Sequence, residues 1–404
     1  MIKRQYMFTY KENFSSKRAD GRHLSTFAGF MENLRHWKPE LALPEKLTPE
    51  LFREWQKKVT EKCIELMQMP EFTEQPEPVL LNTVQREGYR VEKWEFYPDD
   101  YTAVPFLILI PDIASAAHPV PGVICLLGSN WSKEFAAGEP LLDHPNCQFS
   151  KFPERNVMGP SFVKAGMAAF IFDNPEIGEC SLQDPAVDWD TSGSTRKQLC
   201  HGLLHAGFNY LGLTVFQKLC VWRSMRKLDY IDHKRWAVAS HSLGTEAAVI
   251  LGLLIPEIKA VVFNDNVHDD RIRYVAVTEE DVTQMRHDIG NWHVVPGILR
   301  YFSFQDMCAA LAPKYLALTE GGAAEQLEVV RRAYNVLDVP DHLAVTHYPA
   351  FQDPGKRKNS GKIPRFGLTF EELYNEWMYC DAPDHSFRMA PALKHIQAAF
   401  ASEE

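Results

Sequence analysis

The sequence predicts an α/β fold with a mostly parallel central sheet that helices cover on both faces. Three observations predict it. Short apolar runs recur through most of the chain, helical patterns separate several of them, and one run leads through a tight turn of small residues straight into a helix. Continuous apolar runs are typical of strands buried on both faces, and the helices between them indicate right-handed crossovers within one sheet. In such a sheet, reactive side chains are expected at the carboxyl ends of the strands.

Residues 1–84 are predicted to form an N-terminal helical extension. Thr48 and Pro49 mark a helix start, as an N-cap residue followed by a proline in the first turn. The residues from there to Met67 keep helical spacing. We therefore assign residues 1–84 to the extension and residues 85–404 to the α/β domain.

The α/β domain is predicted to begin with two antiparallel strands. Residues 89–96 alternate in character, and residues 104–110 form an apolar run that ends at Pro111. The later runs are shorter and fully apolar, as expected of strands inside a parallel sheet. These predicted strands cover residues 122–127, 167–172, 236–239, 260–263, 315–319 and 343–346.

The segment 235–252, RWAVASHSLGTEAAVILG, has the pattern of a nucleophile elbow, in which a strand turns sharply into a helix. Ser242 is at the tip, where its hydroxyl would be exposed above the sheet. The backbone is crowded there, so the positions two before and two after must be small, and they are Ser240 and Gly244. We predict Ser242 as a nucleophile, and an ordinary strand–helix connection is the alternative.

A nucleophilic serine needs donors for the oxyanion that forms when it attacks a carbonyl group. The backbone N–H of Leu243, next to the nucleophile, is one predicted donor. The strand 122–127 ends in a glycine turn, and the backbone N–H of Ser129 is the second. Backbone donors leave no side-chain pattern, so an ordinary turn is the alternative at Ser129.

The general base is predicted to be His385. It lies in a loop just before the last helical stretch, so it can reach over the serine, and Phe387 can pack beneath it. His347, at the end of a strand, is the competing histidine. His241 is placed at the start of the elbow helix, where we expect it to pack or bond locally.

The acid that orients His385 has two candidates, which end neighbouring predicted strands. Glu320 follows the strand 315–319, and Asp265 follows the strand 260–263. An aspartate would commonly stand near Ala324 and is absent there. Either carboxylate could fix the histidine tautomer and stabilise the imidazolium. We favour Glu320, and Asp265 remains the alternative.

Residues 266–304 are unusually rich in His, Asp, Trp and Arg and are predicted to form a lid over the site. Trp292 and His293 are expected to line the substrate pocket. A solvated helical insertion is the alternative. The three consecutive residues from His268 to Asp270 cannot all converge on one ion, so we expect no metal site there.

The composition excludes several kinds of partner. The 404 residues have a formal net charge of −10 and no basic run interleaved with aromatic residues, so no nucleic-acid partner is expected. No apolar stretch is long enough to predict a membrane span or a signal peptide. The eight cysteines are scattered without zinc-ligand spacing, which favours free thiols in a reducing, cytoplasmic setting.

The order Ser242, acid, His385 with an elbow resembles the α/β-hydrolase superfamily. Over about residues 85–404 the chain is similar to the dienelactone hydrolase and acetyl xylan esterase-like branch. The chain departs from that branch at Leu127, which replaces a histidine, at Ser240, which replaces a glycine, and at Glu246, where small residues are frequent. The similar segments are LLGSNWSKEFAAGEP, GMAAFIFDNPEIGE, SHSLGTEAA, APKYLALTEGG and DHSFRMAPAL.

The resemblance implies a serine hydrolase with no metal and no organic cofactor. It implies a carboxylesterase that removes a small acyl group, such as acetate, from a carbohydrate or related alcohol. The partner would be a small-molecule or oligosaccharide ester, and a homo-oligomer is compatible with this reading. Hydrolysis of a C–C or amide bond is one alternative, because the same triad serves such leaving groups. A non-catalytic binding protein is the other, since the aspartate near Ala324 is missing.

Overall fold

A computed structural model describes residues 16, 18–72, 76–129, 132–140, 157–182, 192–265, 267, 290–322, 324–346 and 386–402. These residues contain a nine-stranded sheet, and the predicted α/β fold is confirmed. The strands are β1 (Val79–Arg86), β2 (Tyr89–Phe96), β3 (Val104–Pro111), β4 (Val120–Leu126), β5 (Ala168–Phe172), β6 (Ile231–His241), β7 (Ile258–Asn264), β8 (Tyr315–Leu318) and β9 (Leu343–Val345). Their order in the sheet is β1-β2-β3-β5-β4-β6-β7-β8-β9.

The sheet is parallel from β4 onward and antiparallel at its first edge. β1 pairs with β2, β2 with β3, and β3 with β5, all antiparallel. The pairs among β4 to β9 are parallel, so their carboxyl ends lie at one edge. Each run predicted as a strand from its apolar character is a strand of this sheet, because most of these strands are buried along nearly their whole length.

Helices cover both faces of the sheet. The described helices are α1 (Thr26–His36), α2 (Pro49–Met67), α3 (Lys133–Ala137), α4 (Gly159–Lys164), α5 (Ser192–His205), α6 (Tyr210–Met225), α7 (Gly244–Leu254), α8 (Ile298–Tyr301), α9 (Phe304–Ala309), α10 (Ala324–Val336) and α11 (Met389–Ala401). One buried cluster joins the sheet to α2, α6, α7, α9 and α10, and a second joins it to α3, α4 and α11.

The helix predicted from Thr48 and Pro49 is α2. The Thr48 side chain accepts a hydrogen bond from the backbone N–H of Leu51, and Pro49 occupies the first helical position. The buried face of α2 includes Phe52 and Trp55, which lie in the first hydrophobic cluster. The predicted extension therefore packs directly on the sheet.

One strand of the sheet, β1, was not predicted from the sequence. β1 begins at Val79, so the boundary predicted at residue 84 falls inside it. Most of β1 is exposed, including Leu80 and Leu81, and among the described strands it pairs with β2 alone. An exposed edge strand lacks the continuous apolar run that identified the buried strands, so the sequence pattern did not show it.

The cysteines that the structure describes carry free thiols. Among the residues that the structure places, no helix is both long and apolar enough to cross a bilayer.

Candidate active site

Ser242 lies between β6 and α7 in a left-handed backbone conformation, with φ of +51°. Non-glycine residues rarely adopt this conformation, and hydrogen bonds hold it here. The Ser242 N–H donates to the carbonyl oxygen of Asn264 at 3.1 Å, and the Ser242 carbonyl accepts from the N–H of Thr245 at 2.9 Å. Ser242 is half-buried, whereas His241 and Leu243 beside it are buried. This geometry is the strained, outward-facing turn that the elbow pattern predicts.

The two small residues that flank Ser242 fit the elbow for different physical reasons. A Cβ atom on Gly244 would lie 2.6 Å from the carbonyl oxygen of Leu126, so glycine is required for α7 to approach β4 this closely. Ser240 is fully buried, and its hydroxyl donates to the carbonyl oxygen of Val262 at 2.6 Å. Ser240 is therefore accommodated by a bond to the neighbouring strand.

The two predicted oxyanion donors have unused backbone N–H groups. Leu243 precedes the first residue of α7, so its N–H lies at the positive end of that helix. Ser129 lies in the turn that follows β4. Within the described part of the chain, neither the Leu243 nor the Ser129 N–H donates a hydrogen bond.

Asn174, which the sequence analysis missed, fixes the turn that carries Ser129. Its buried Nδ2 donates to the carbonyl oxygens of Leu127, at 3.1 Å, and Gly128, at 3.3 Å. In a trans peptide, the Gly128 carbonyl and the Ser129 N–H point in opposite directions. Asn174 therefore sets the direction of the predicted donor. The available signal was a pair of polar residues, Asp173 and Asn174, that follows a buried strand in the segment FDNP.

Asn264, at the end of β7, connects the neighbouring strand ends. It is fully buried, and its Nδ2 lies 2.8 Å from Nδ1 of His241 and 3.3 Å from Oε1 of Glu320. The same nitrogen donates to the carbonyl oxygen of Ser386 at 3.0 Å. These contacts place the Glu320 carboxylate near the residue that follows His385 in the chain.

The amide oxygen of Asn264 is also used. It accepts from the hydroxyl of Thr319 at 2.6 Å and from the backbone N–H of Arg388 at 2.9 Å. The end of β7 is thus bonded both to the end of β8 and to the start of α11. The sequence pattern indicated Asp265, the next residue, and not Asn264, because a carboxylate is the more obvious catalytic group.

The two candidate acids lie in different surroundings. Glu320 is 1% exposed and takes part in the Asn264 contacts. Asp265 is half-buried and directly follows Asn264. β7 and β8 are neighbours, as the sequence analysis expected.

His385 and its competitor His347 lie outside the described residues, as do His268 and most of the predicted lid. The residues after His385 are described. Phe387 is buried and makes an edge contact with Phe162, with ring centres 6.3 Å apart. The chain is therefore anchored directly after the predicted base, by Phe387 and by the bond from Asn264 to Ser386.

Trp292 and His293, predicted to line the pocket, both contact the elbow region. They lie in a short 3₁₀ turn, Asn291–His293. Trp292 packs against a buried cluster that contains Leu243. His293 Nδ1 lies 2.5 Å from Oε1 of Glu246, which is buried in the first turn of α7.

Comparison with known proteins gives the family. The sequence model of the Abhydrolase family matches residues 7–397. The chain belongs to the Abhydrolase family. No curated protein matches it.

Solved structures agree with this family. A proposed acetyl xylan esterase from Bacteroides fragilis is 35% identical, with a TM-score of 0.83, over 95% of this chain and 97% of that one. A methylesterase is 14% identical, with a TM-score of 0.53, over 92% and 79% of the two chains. A glucuronoyl esterase from Solibacter usitatus is 12% identical, with a TM-score of 0.50, over 75% and 86%. The last two show the fold alone. The predicted α/β-hydrolase fold and the resemblance to its acetyl xylan esterase-like branch are confirmed.

The structure explains two departures of this Abhydrolase chain from the pattern of the branch. Ser240 replaces a glycine, and its hydroxyl is satisfied by Val262. Glu246 stands where a small residue is frequent, and its carboxylate pairs with His293. One expectation was wrong: His241 is the last residue of β6 and does not lie on the elbow helix. It is buried and bonds locally to Asn264, as expected.

A buried cluster of charged side chains holds the chain next to Asn174 in place. Lys133 Nζ lies 2.9 Å from Asp173 Oδ2 and 2.7 Å from Glu134 Oε1, and it also pairs with Glu179. Burial alone would lower the pKa of Lys133, but these three carboxylates raise it above its usual value. Asp173 precedes Asn174, so the cluster fixes the end of β5.

Proposed function

We propose that this member of the Abhydrolase family is a serine carboxylesterase that removes a small acyl group, such as acetate, from a carbohydrate or related alcohol. One observation carries the proposal: Ser242 has the strained elbow conformation, and the N–H groups of Leu243 and Ser129 donate to no residue that the structure describes. The Bacteroides fragilis relative, a proposed acetyl xylan esterase, supports the substrate class.

In the proposed reaction, Ser242 Oγ attacks the ester carbonyl carbon and His385 takes the hydroxyl proton. The backbone N–H groups of Leu243 and Ser129 stabilise the negative oxygen of the tetrahedral intermediate. The C–O bond to the alcohol then breaks, and His385 returns the proton to the leaving oxygen. Water attacks the acyl-serine in a second, equivalent step with His385 as base, which releases the acid and restores Ser242.

Glu320 is the proposed acid. Its burial strengthens an interaction with the imidazolium that forms at His385, since charges interact more strongly away from water. Its carboxylate and the Ser386 carbonyl share one donor, Asn264 Nδ2. This shared donor supports a location of the Glu320 carboxylate beside the loop that contains His385. Asp265 remains the alternative.

The proposal is tested by the hydrolysis of 4-nitrophenyl acetate. Ser242→Ala is expected to lower kcat by at least about a thousandfold, because triad members act as a unit. His385→Ala should match it, whereas His347→Ala should cost far less. The matched control is Ser224→Ala, which removes a hydroxyl bonded to the Cys220 carbonyl on α6 and should retain activity. Full activity of a folded Ser242→Ala protein would exclude the proposal.

A substrate panel separates the proposed activity from its alternatives. Acetylated oligosaccharides are expected to be hydrolysed faster than matched acetamides or diketones. Preferential cleavage of the amides or diketones would move the activity to another hydrolase class.

A further inference from the structure

Arg196 is a buried cation beside the turn that carries Ser129. It lies on α5, is 2% exposed, and donates from Nη1 to the Ser129 carbonyl oxygen at 2.7 Å. Its guanidinium carbon lies 3.8 Å from the centre of the Trp292 ring. Trp292 packs against the buried cluster that contains Leu243. Arg196 thus contacts Ser129, which supplies one predicted oxyanion donor. It also contacts Trp292, which packs against the cluster of Leu243, the residue that supplies the other donor.

The positive charge of Arg196 is not compensated by a carboxylate among the residues that the structure describes. Its Nε is buried and has no hydrogen-bond partner there. Burial lowers the pKa of the guanidinium, and an interaction with the Tyr210 hydroxyl partly opposes that shift. Arginine nevertheless stays protonated near neutral pH. Burial of a charge without a counterion destabilises a folded protein.

Lys133 shows how the same fold compensates a buried cation. Three carboxylates surround it, and one of them, Glu179, also pairs with Lys93 at 2.7 Å. Arg196 has a backbone carbonyl, an aromatic face and a phenol around it instead. This environment fixes the plane of the guanidinium, and within the described residues it supplies no anion that would neutralise the charge.

We propose that Arg196 binds a carboxylate of the substrate, through the guanidinium edge that contains Nε. The inference rests on the proposed esterase function and narrows its substrate class to esters that carry a second, anionic group, such as acylated acidic sugars. The planar guanidinium fork matches carboxylate geometry, and stacking on Trp292 holds that plane in place. Ser129, whose carbonyl oxygen Arg196 contacts, is half-buried, so solvent reaches this neighbour of Arg196.

The test compares two pairs of esters that differ by one carboxylate. A monoacetylated methyl glucuronoside against the corresponding methyl glucoside places the anion on the alcohol. Mono-4-nitrophenyl succinate against 4-nitrophenyl butyrate places it on the acyl group. For wild type, we expect kcat/KM to be about tenfold or more higher for the anionic ester than for its neutral partner in one of the two pairs. The difference should lie mainly in KM, because a hydrogen bond to a charged group strengthens substrate binding.

Arg196→Gln is expected to bring that ratio close to one, and Arg196→Lys, which keeps the charge without the fork, to an intermediate value. The matched control is Arg223→Gln. Arg223 also stacks on an aromatic ring at 3.8 Å, that of Phe72, but it is exposed on α6. The ratio should not change in that variant.

Two results would overturn the inference while leaving the esterase proposal intact. One is a wild-type ratio near one in both pairs. The other is an equal loss on anionic and neutral esters in Arg196→Gln, which would mean that Arg196 only supports the Ser129 turn.

A binding measurement does not depend on turnover or on Arg196→Gln folding. Methyl glucuronoside and succinate are titrated by calorimetry into wild type, Ser242→Ala and Arg196→Lys, with methyl glucoside as the neutral control. One of the two acids should bind more tightly than the glucoside, and Arg196→Lys should weaken it. Equal binding of acids and glucoside contradicts the inference even if no ester is hydrolysed.

Discussion

Two serines stand two positions apart at the end of β6, and their surroundings give them different chemistry. Ser240 is fully buried and donates its hydroxyl hydrogen to Val262. Ser242 is half-buried in a left-handed conformation, next to the Leu243 N–H, which donates to none of the described residues. The local pattern of strand, turn and helix was enough to predict Ser242 at the tip of the elbow. The bonds to Asn264 and Val262 come from the neighbouring strand β7, and the local pattern does not show them.

The acid could not be decided in the same way, because Glu320 and Asp265 follow neighbouring strands and meet the site through long-range contacts. We expect Glu320→Gln to lower kcat on 4-nitrophenyl acetate by about a hundredfold or more, since an amide can impose the wrong tautomer on His385. Asp265→Asn should lower it much less. The reverse order, with both variants folded by circular dichroism, would assign the acid to Asp265.

The carboxyl ends of β4, β5, β7 and β8 are joined by two asparagines that sequence analysis did not single out. Asn174 follows β5 and bonds to the turn after β4, and Asn264 ends β7 and bonds to Glu320 after β8. Sequence patterns locate each strand end by its apolar run. They do not tell which side chain spans from one end to the next, since that depends on strand order.

Asn174 is expected to act on the oxyanion turn as a positioning residue. Asn174→Ala should lower kcat by about ten- to a hundredfold with little change in KM, because a small displacement of a donor weakens stabilisation of the transition state. Kinetics on 4-nitrophenyl acetate measure both constants, and thermal unfolding measures stability.

Asn209→Ala is the matched control for this prediction. Asn209 is also buried, and its Nδ2 also donates to two consecutive carbonyl oxygens, those of Leu66 and Met67. It should lower the unfolding temperature without a comparable loss of kcat. Equal kcat losses in the two variants would mean that Asn174 acts only through stability.

At the scale of the whole molecule, the sheet brings the candidate site residues together. Two hydrophobic clusters fix its faces, and the parallel strands bring Ser129, Ser242 and Glu320 to one edge. This much was predictable, because buried parallel strands are continuous apolar runs. The exposed strand β1 and the buried charge of Arg196 were not, since exposure at an edge and burial of a cation depend on the assembled fold.

The central claim is that Ser242 is the nucleophile, and covalent labelling tests it most directly. A fluorophosphonate should form one phosphonyl-serine adduct, which peptide fragmentation in the mass spectrometer should place on Ser242. The adduct should be absent from Ser242→Ala and present in Ser224→Ala. An adduct on Ser240 or another serine, or labelling that persists in folded Ser242→Ala, would contradict the account.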